Sequence, residues 1–137
     1  MPLIALSQYK SITFSGYLEA YYAHDFNNPG NGLRPGFTYN YTRLDEINVN
    51  LALLKAAYSR KYTHANLALM SGTYPRYNLA SEPAIFRKVY EANAGVKLSK
   101  RSNLWLDAGI FPTHIGFESA IGKDNSTLTR SILAENS

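Results

Sequence analysis

Cysteine is absent from the 137 residues, which excludes a disulfide framework and any thiolate metal site but does not fix the compartment. Charge is sparse. Charged residues make up 18%, and the net charge of +4 comes from 14 basic and 10 acidic side chains. The basic residues are scattered, with their densest group at Lys97, Lys100 and Arg101. A nucleic-acid footprint would need a stripe on one face, so that class is set aside. No run of about eighteen apolar residues occurs, which excludes a transmembrane helix. It does not exclude a transmembrane barrel, whose strands need only about ten alternating residues. Gly-x-Ser-x-Gly elbows, His-Glu-x-x-His helices and phosphate loops are also missing. No nucleophile–base set can be assembled, and an enzyme is not expected.

What is present is hydrophobic residue at 45% and tyrosine in excess, 11 of the 18 aromatics. That much apolar content excludes disorder, and the length fits one domain. Period-two alternation is the strongest local signal. Ile12, Phe14, Leu18, Ala20 and Tyr22 alternate with Thr13, Ser15, Tyr17, Glu19 and Tyr21. Asp25 to Gly36 is loop, rich in Asn, Pro and Gly. Alternation resumes over 37–58, where Ile47, Val49, Leu51 and Leu53 share a face opposite Asn48, Asn50 and Ala52. Leu51 to Tyr58 also tolerates a helix, but the Asn-Val-Asn-Leu pattern running into it favours strand. Two further segments alternate, Thr63 to Met70 and Tyr90 to Leu98, and a fifth runs from Leu104 to Phe111. Glu82 to Lys88 allows one helical turn. Thr127 to Glu135 allows a short helix capped by Asn125 or Ser126.

The expectation is an all-β chain of about five strands in an antiparallel up-and-down meander. Short turns near Arg60 and Lys100 alternate with long loops near Pro29, Pro83 and Gly116. That asymmetry is the signature of a transmembrane barrel, with short turns on the periplasmic side. Each strand has one apolar face and one polar face. A lumen wall predicts this, and so does a soluble meander with one wet face. Tyrosine separates the two. Tyr22, Tyr39, Tyr41, Tyr58, Tyr62, Tyr74 and Tyr90 lie toward strand ends, as in an aromatic girdle at a membrane interface, although Tyr17 sits in mid-strand.

Several phrases resemble the OmpL-like β-barrel porin family of Bacteroidetes-type outer membranes. They are Ser15-Gly16-Tyr17-Leu18-Glu19-Ala20-Tyr21-Tyr22 with Asp25-Phe26-Asn27; Asn48-Val49-Asn50-Leu51-Ala52 with Lys55-Ala56; Tyr90-Glu91-Ala92-Asn93-Ala94-Gly95; and Trp105-Leu106-Asp107-Ala108-Gly109-Ile110-Phe111-Pro112. His114-Ile115-Gly116-Phe117-Glu118 and Leu128-Thr129-Arg130-Ser131 belong with them. The resemblance runs from about residue 11 to the end. It implies a porin of a Gram-negative outer membrane, passing small solutes passively, with no cofactor. Its partners would be outer-membrane lipid, the solutes, and either the remaining barrel strands or further copies of the chain, with no nucleic acid. Barrels need at least about eight strands, so residues 1–137 look like the N-terminal portion of one, not closable alone. Residues 1–10 are read as a leader remnant or an expression-derived start, and 112–137 as a long loop.

The candidate pore-lining residues are Glu19, Asn48, Asn50, His64, Asn66, Glu91, Asn93, Lys97 and Asp107. The loop from Pro112 to Arg130, with His114, Glu118, Lys123 and Asp124, is the candidate constriction. His24, His64 and His114 are too widely spaced to suggest a metal site. Asn40-Tyr41-Thr42 and Asn125-Ser126-Thr127 match glycosylation acceptors by chance. The rival function is a soluble or surface-exposed β module that holds a carbohydrate or peptide in aromatic loops. Its apolar faces would be buried under a second layer.

Overall fold

The computed structural model describes residues 4–9, 11–112, 118–127 and 130–131. The described residues form six strands: β1 (Ile4–Tyr9), β2 (Ile12–Tyr22), β3 (Ile47–Ser59), β4 (Thr63–Ser71), β5 (Val89–Lys97) and β6 (Trp105–Ile110). They form one sheet in chain order, and every neighbouring pair is antiparallel. The all-β meander is therefore as expected. The sheet is open, with β1 and β6 as its edges. Its connections alternate: 10–11, 60–62 and 98–104 are short, while 23–46, 72–88 and the segment from 111 onward are long. No helix is long and apolar enough to cross a membrane among the described residues.

Three expectations change. First, residues 4–9, read outside the strands, pair with β2 as a sixth strand. Second, 37–46 is not strand. Tyr41 and Asp45 take positive φ (54° and 59°), which breaks an extended run, and only an isolated Leu33–Arg43 bridge remains. Third, a short helix α1 (Thr73–Asn78) follows β4 where loop was expected. It begins at Gly72, whose φ of 134° and close approach to the Asn50 backbone leave no room for a Cβ. The turn expected within Glu82 to Lys88 is a 3₁₀ turn, Phe86–Lys88. The helix expected over Thr127 to Glu135 falls largely outside the described residues. Thr127, Arg130 and Ser131 are not helical, and the nearby turn is 3₁₀, Gly122–Asp124.

A bulge decides which way the leucines of β3 point. Glu19 pairs with Leu51 and Ala20 with Val49, so Asn50 is an extra residue. A bulge residue shifts the phase of everything beyond it. Leu51 and Leu53 therefore do not share a face with Ile47 and Val49. They join Asn48 and Asn50, and Leu51 is fully buried. Tyr90 is a second such residue, because Ala68 pairs with Glu91 and Leu69 with Val89. On this inner face Leu51, Met70 and Tyr74 form a small core, joined by Tyr17, Tyr39, Leu79, Tyr90, Ala120 and Ile121.

The outer face is the reverse of a soluble sheet. Phe14, Leu18, Leu54, Leu67, Leu69, Val96, Leu106 and Ile110 point outward and are exposed, Leu18 at 62% and Leu54 at 63%. They are neighbours across strands: Leu54 pairs with Leu69, and Val96 with Leu106. Contiguous exposed aliphatic surface on this scale marks contact with another apolar phase.

Candidate functional site

All nine candidate lining residues fall on the inner face. The register places Glu19 in line with Leu51, Asn66 with Asn93, His64 with Gly95, and Gly95 with Asp107. The polar groups satisfy one another within and across strands. Lys55 Nζ lies 2.7 Å from Glu91 Oε2, Asn93 donates to Glu91 Oε1 at 3.0 Å, and Asn66 donates to Asn93 Oδ1 at 3.0 Å. His64 Nε2 meets Asp107 Oδ1, and the His64 ring lies 4.8 Å from Trp105. Lys97 Nζ lies 6.0 Å from the same indole.

Both pairs reach over an intervening strand, and a small residue makes each reach possible. Lys55 and Glu91 flank Ala68 in register, and His64 and Asp107 flank Gly95. A Cβ at Gly95 would collide with both partners of the second pair. Lys55 is a further inner-face residue that alternation from Ile47 missed, since that phase would place it outward. The signal was available: a lysine in phase with exposed aliphatics implies a slip between Asn48 and Lys55.

The long-loop end of the inner face is covered. In the 23–46 loop, Asn40, Thr42 and Leu44 are buried. Asn50 Nδ2 donates to Glu19 Oε2 at 2.7 Å and to Asn40 Oδ1 at 2.9 Å, while Asn50 Oδ1 accepts from Tyr41 N at 3.1 Å. Tyr41 Oη donates to Glu19 Oε1 at 3.0 Å, and Tyr17 Oη does so at 3.2 Å. Burial first, and the Glu19 carboxylate second, raise the Tyr41 phenol well above its ordinary 10.0, so it remains a donor. Tyr21 Oη accepts from Arg43 N at 3.0 Å. In the same loop, the hydrogen bond from Arg43 and then that from Asn48 hold the Glu46 carboxyl below its usual range.

Of the candidate constriction residues, His114 lies outside the described residues. Lys123 and Asp124 are exposed and pair at 3.1 Å. The Glu118 carboxylate accepts from the Ser131 backbone N–H at 3.0 Å. Among the described residues of this segment, Ala120 and Ile121 join the core, Gly122 abuts the Glu19 carboxylate, and Arg130 lies 4.7 Å over the Tyr74 ring.

The expected girdle divides. Tyr22 and Tyr58 face outward and are exposed, and Tyr62 is exposed in the 60–62 turn. The other four belong inside. Tyr74 is buried in the core, Tyr39 and Tyr90 pack against it, and Tyr41 bonds Glu19. Tyr90 turns inward because it is the bulge residue, and Tyr39 and Tyr41 because their loop folds over the sheet.

No group of three or more His, Asp or Glu side chains converges for a metal among the described residues. The chain matches a family described as Putative beta-barrel porin-2, OmpL-like, over residues 11–137. No curated protein and no solved structure matches it.

Proposed function

The chain belongs to the OmpL-like beta-barrel porin-2 family, and from that premise we propose that its sheet forms part of an outer-membrane passage for small solutes. Transport is passive, no bond is made or broken, and no cofactor takes part. The observation that supports this most is the inversion of polarity across the sheet. Exposed leucines lie on one side, and hydrogen-bonded Glu, Asn, Lys, His and Asp lie on the other. A lipid phase outside and water inside make that arrangement favourable, and water on both sides would not. The same exposure weighs against the soluble binding module, whose aliphatic faces need a covering layer.

Neighbouring strands complete the wall, whether from further sequence or from further copies, because an open edge in lipid leaves backbone groups unpaired. The inner residues Glu19, Asn48, Asn50, His64, Asn66, Glu91, Asn93, Lys97 and Asp107, with Lys55, line the passage. Within the wall Lys55 pairs with Glu91, and Asp107 meets His64. Segment 112–130 narrows it. Reconstitution into lipid vesicles tests the reading. Vesicles carrying the protein should become permeable to small uncharged solutes, and deleting residues 113–126 should raise conductance. Impermeable vesicles containing correctly inserted protein would refute it.

A further inference from the structure

The geometry points to Glu19 as the anchor that holds two separate loops over the inner wall, so that one carboxylate in β2 sets how far the passage is closed at its long-loop end. This deepens the reading above and rests on it for the conductance readout only. The carboxylate is reached from four elements. Tyr17 donates from its own strand, Asn50 from the β3 bulge and Tyr41 from the 23–46 loop. Gly122, in the segment after β6, packs so close that a Cβ there would strike the carboxylate.

The chemistry suits an anchor. Both oxygens are engaged by uncharged donors at 2.7–3.2 Å, and hydrogen bonds to a charged acceptor are about twice as strong as neutral ones. The first loop is fastened twice, because Asn50, which donates to Glu19, also accepts from the Tyr41 backbone and donates to Asn40. The second is fastened by packing: Ala120 and Ile121 sit on the Leu51 core, and the glycine that follows lets the backbone close onto Glu19. A carboxylate at this position is therefore shared by two loops that are far apart in sequence, and losing it frees both.

Three variants separate the contributions: Glu19→Ala, Tyr41→Phe and Gly122→Ala. Amide exchange is followed on the protein in lipid vesicles, and conductance in planar bilayers. Glu19→Ala should lower protection in both 39–44 and 119–127, about tenfold for each charge-assisted bond lost, and raise conductance. Tyr41→Phe should loosen 39–44 alone, whereas Gly122→Ala, whose Cβ meets both the Glu19 carboxylate and the Tyr41 hydroxyl, should loosen 119–127 most and 39–44 to a lesser degree. Glu19→Gln keeps an acceptor oxygen and should restore much of the protection. Unchanged protection of both loops in Glu19→Ala overturns the anchor. So does unchanged conductance once both loops have loosened. A wild-type protein that never conducts refutes the passage instead, and exchange alone then decides whether Glu19 anchors the loops.

Discussion

Replacing Leu54 with arginine separates a lipid-facing wall from a solvent-facing sheet by the size of the loss. Leu54 points outward from the middle of β3, 63% exposed, and pairs with Leu69 on β4 and Gly16 on β2. A strand rises about 3.4 Å per residue, and a tilt near 40° reduces this to about 2.6 Å of depth. Leu54 stands five positions before Ser59, the end of the strand at a short turn, so it lies about 13 Å deep. That is close to the midplane of an apolar band about 25 Å tall. Arginine at such depth costs about 2–4 kcal/mol in a barrel, whereas an exposed leucine on a water-facing sheet can be replaced within about 0.5 kcal/mol. The assay is reversible urea unfolding from lipid vesicles, comparing Leu54→Arg with Asn66→Arg on the inner face. The outward variant should lose about 2–4 kcal/mol and the inward one much less. If Leu54→Arg costs less than about 0.5 kcal/mol, or Asn66→Arg costs as much, the assignment of the two faces is wrong.

Three further outcomes follow from the inner face and its covering loop. Glu91→Ala strands the Lys55 ammonium and should cost about 1–3 kcal/mol, with Lys55→Ala/Glu91→Ala recovering part of it. Additivity in the double-variant cycle would show that the pair does not interact. Gly95→Ala inserts a methyl between His64 and Asp107 and should destabilise the same unfolding transition by about 1–3 kcal/mol. The cost should largely vanish in a His64→Ala/Asp107→Ala background, and an equal cost there would count against the steric explanation. The Tyr41 phenol, raised above 10.0 in the folded chain, stabilises fully below its unfolded value. That contribution is lost as pH rises above about 10 toward the folded value. Subtracting the tyrosinate absorbance of Tyr41→Phe from that of the parent should show one phenol titrating above its free value. An ordinary titration in the difference would remove Glu19 and burial as its controls.

Five of the six strands are legible in the sequence because a strand's side chains must alternate wherever its two faces meet different surroundings. Ile12 to Tyr22, Thr63 to Ser71 and Trp105 to Ile110 carry that alternation unbroken. The nine polar residues assigned to one face reach it for the same reason. The alternation of short turns with long loops is equally a property of the chain.

Three features belong to the tertiary structure. A bulge adds one residue without altering composition, so the inward turn of Leu51, Leu53 and Lys55 beyond Asn50 appears only when β3 is set against β2. Tyrosines near strand ends read as one girdle, yet only burial distinguishes Tyr22 and Tyr58 on the outside from Tyr41, Tyr74 and Tyr90 within. The meeting of Glu19 with Tyr41, Asn50 and Gly122 joins residues as far as 103 positions apart. Local periodicity determines which face a residue takes, while partners separated by whole strands are chosen by register and by the way the loops fold back over the sheet.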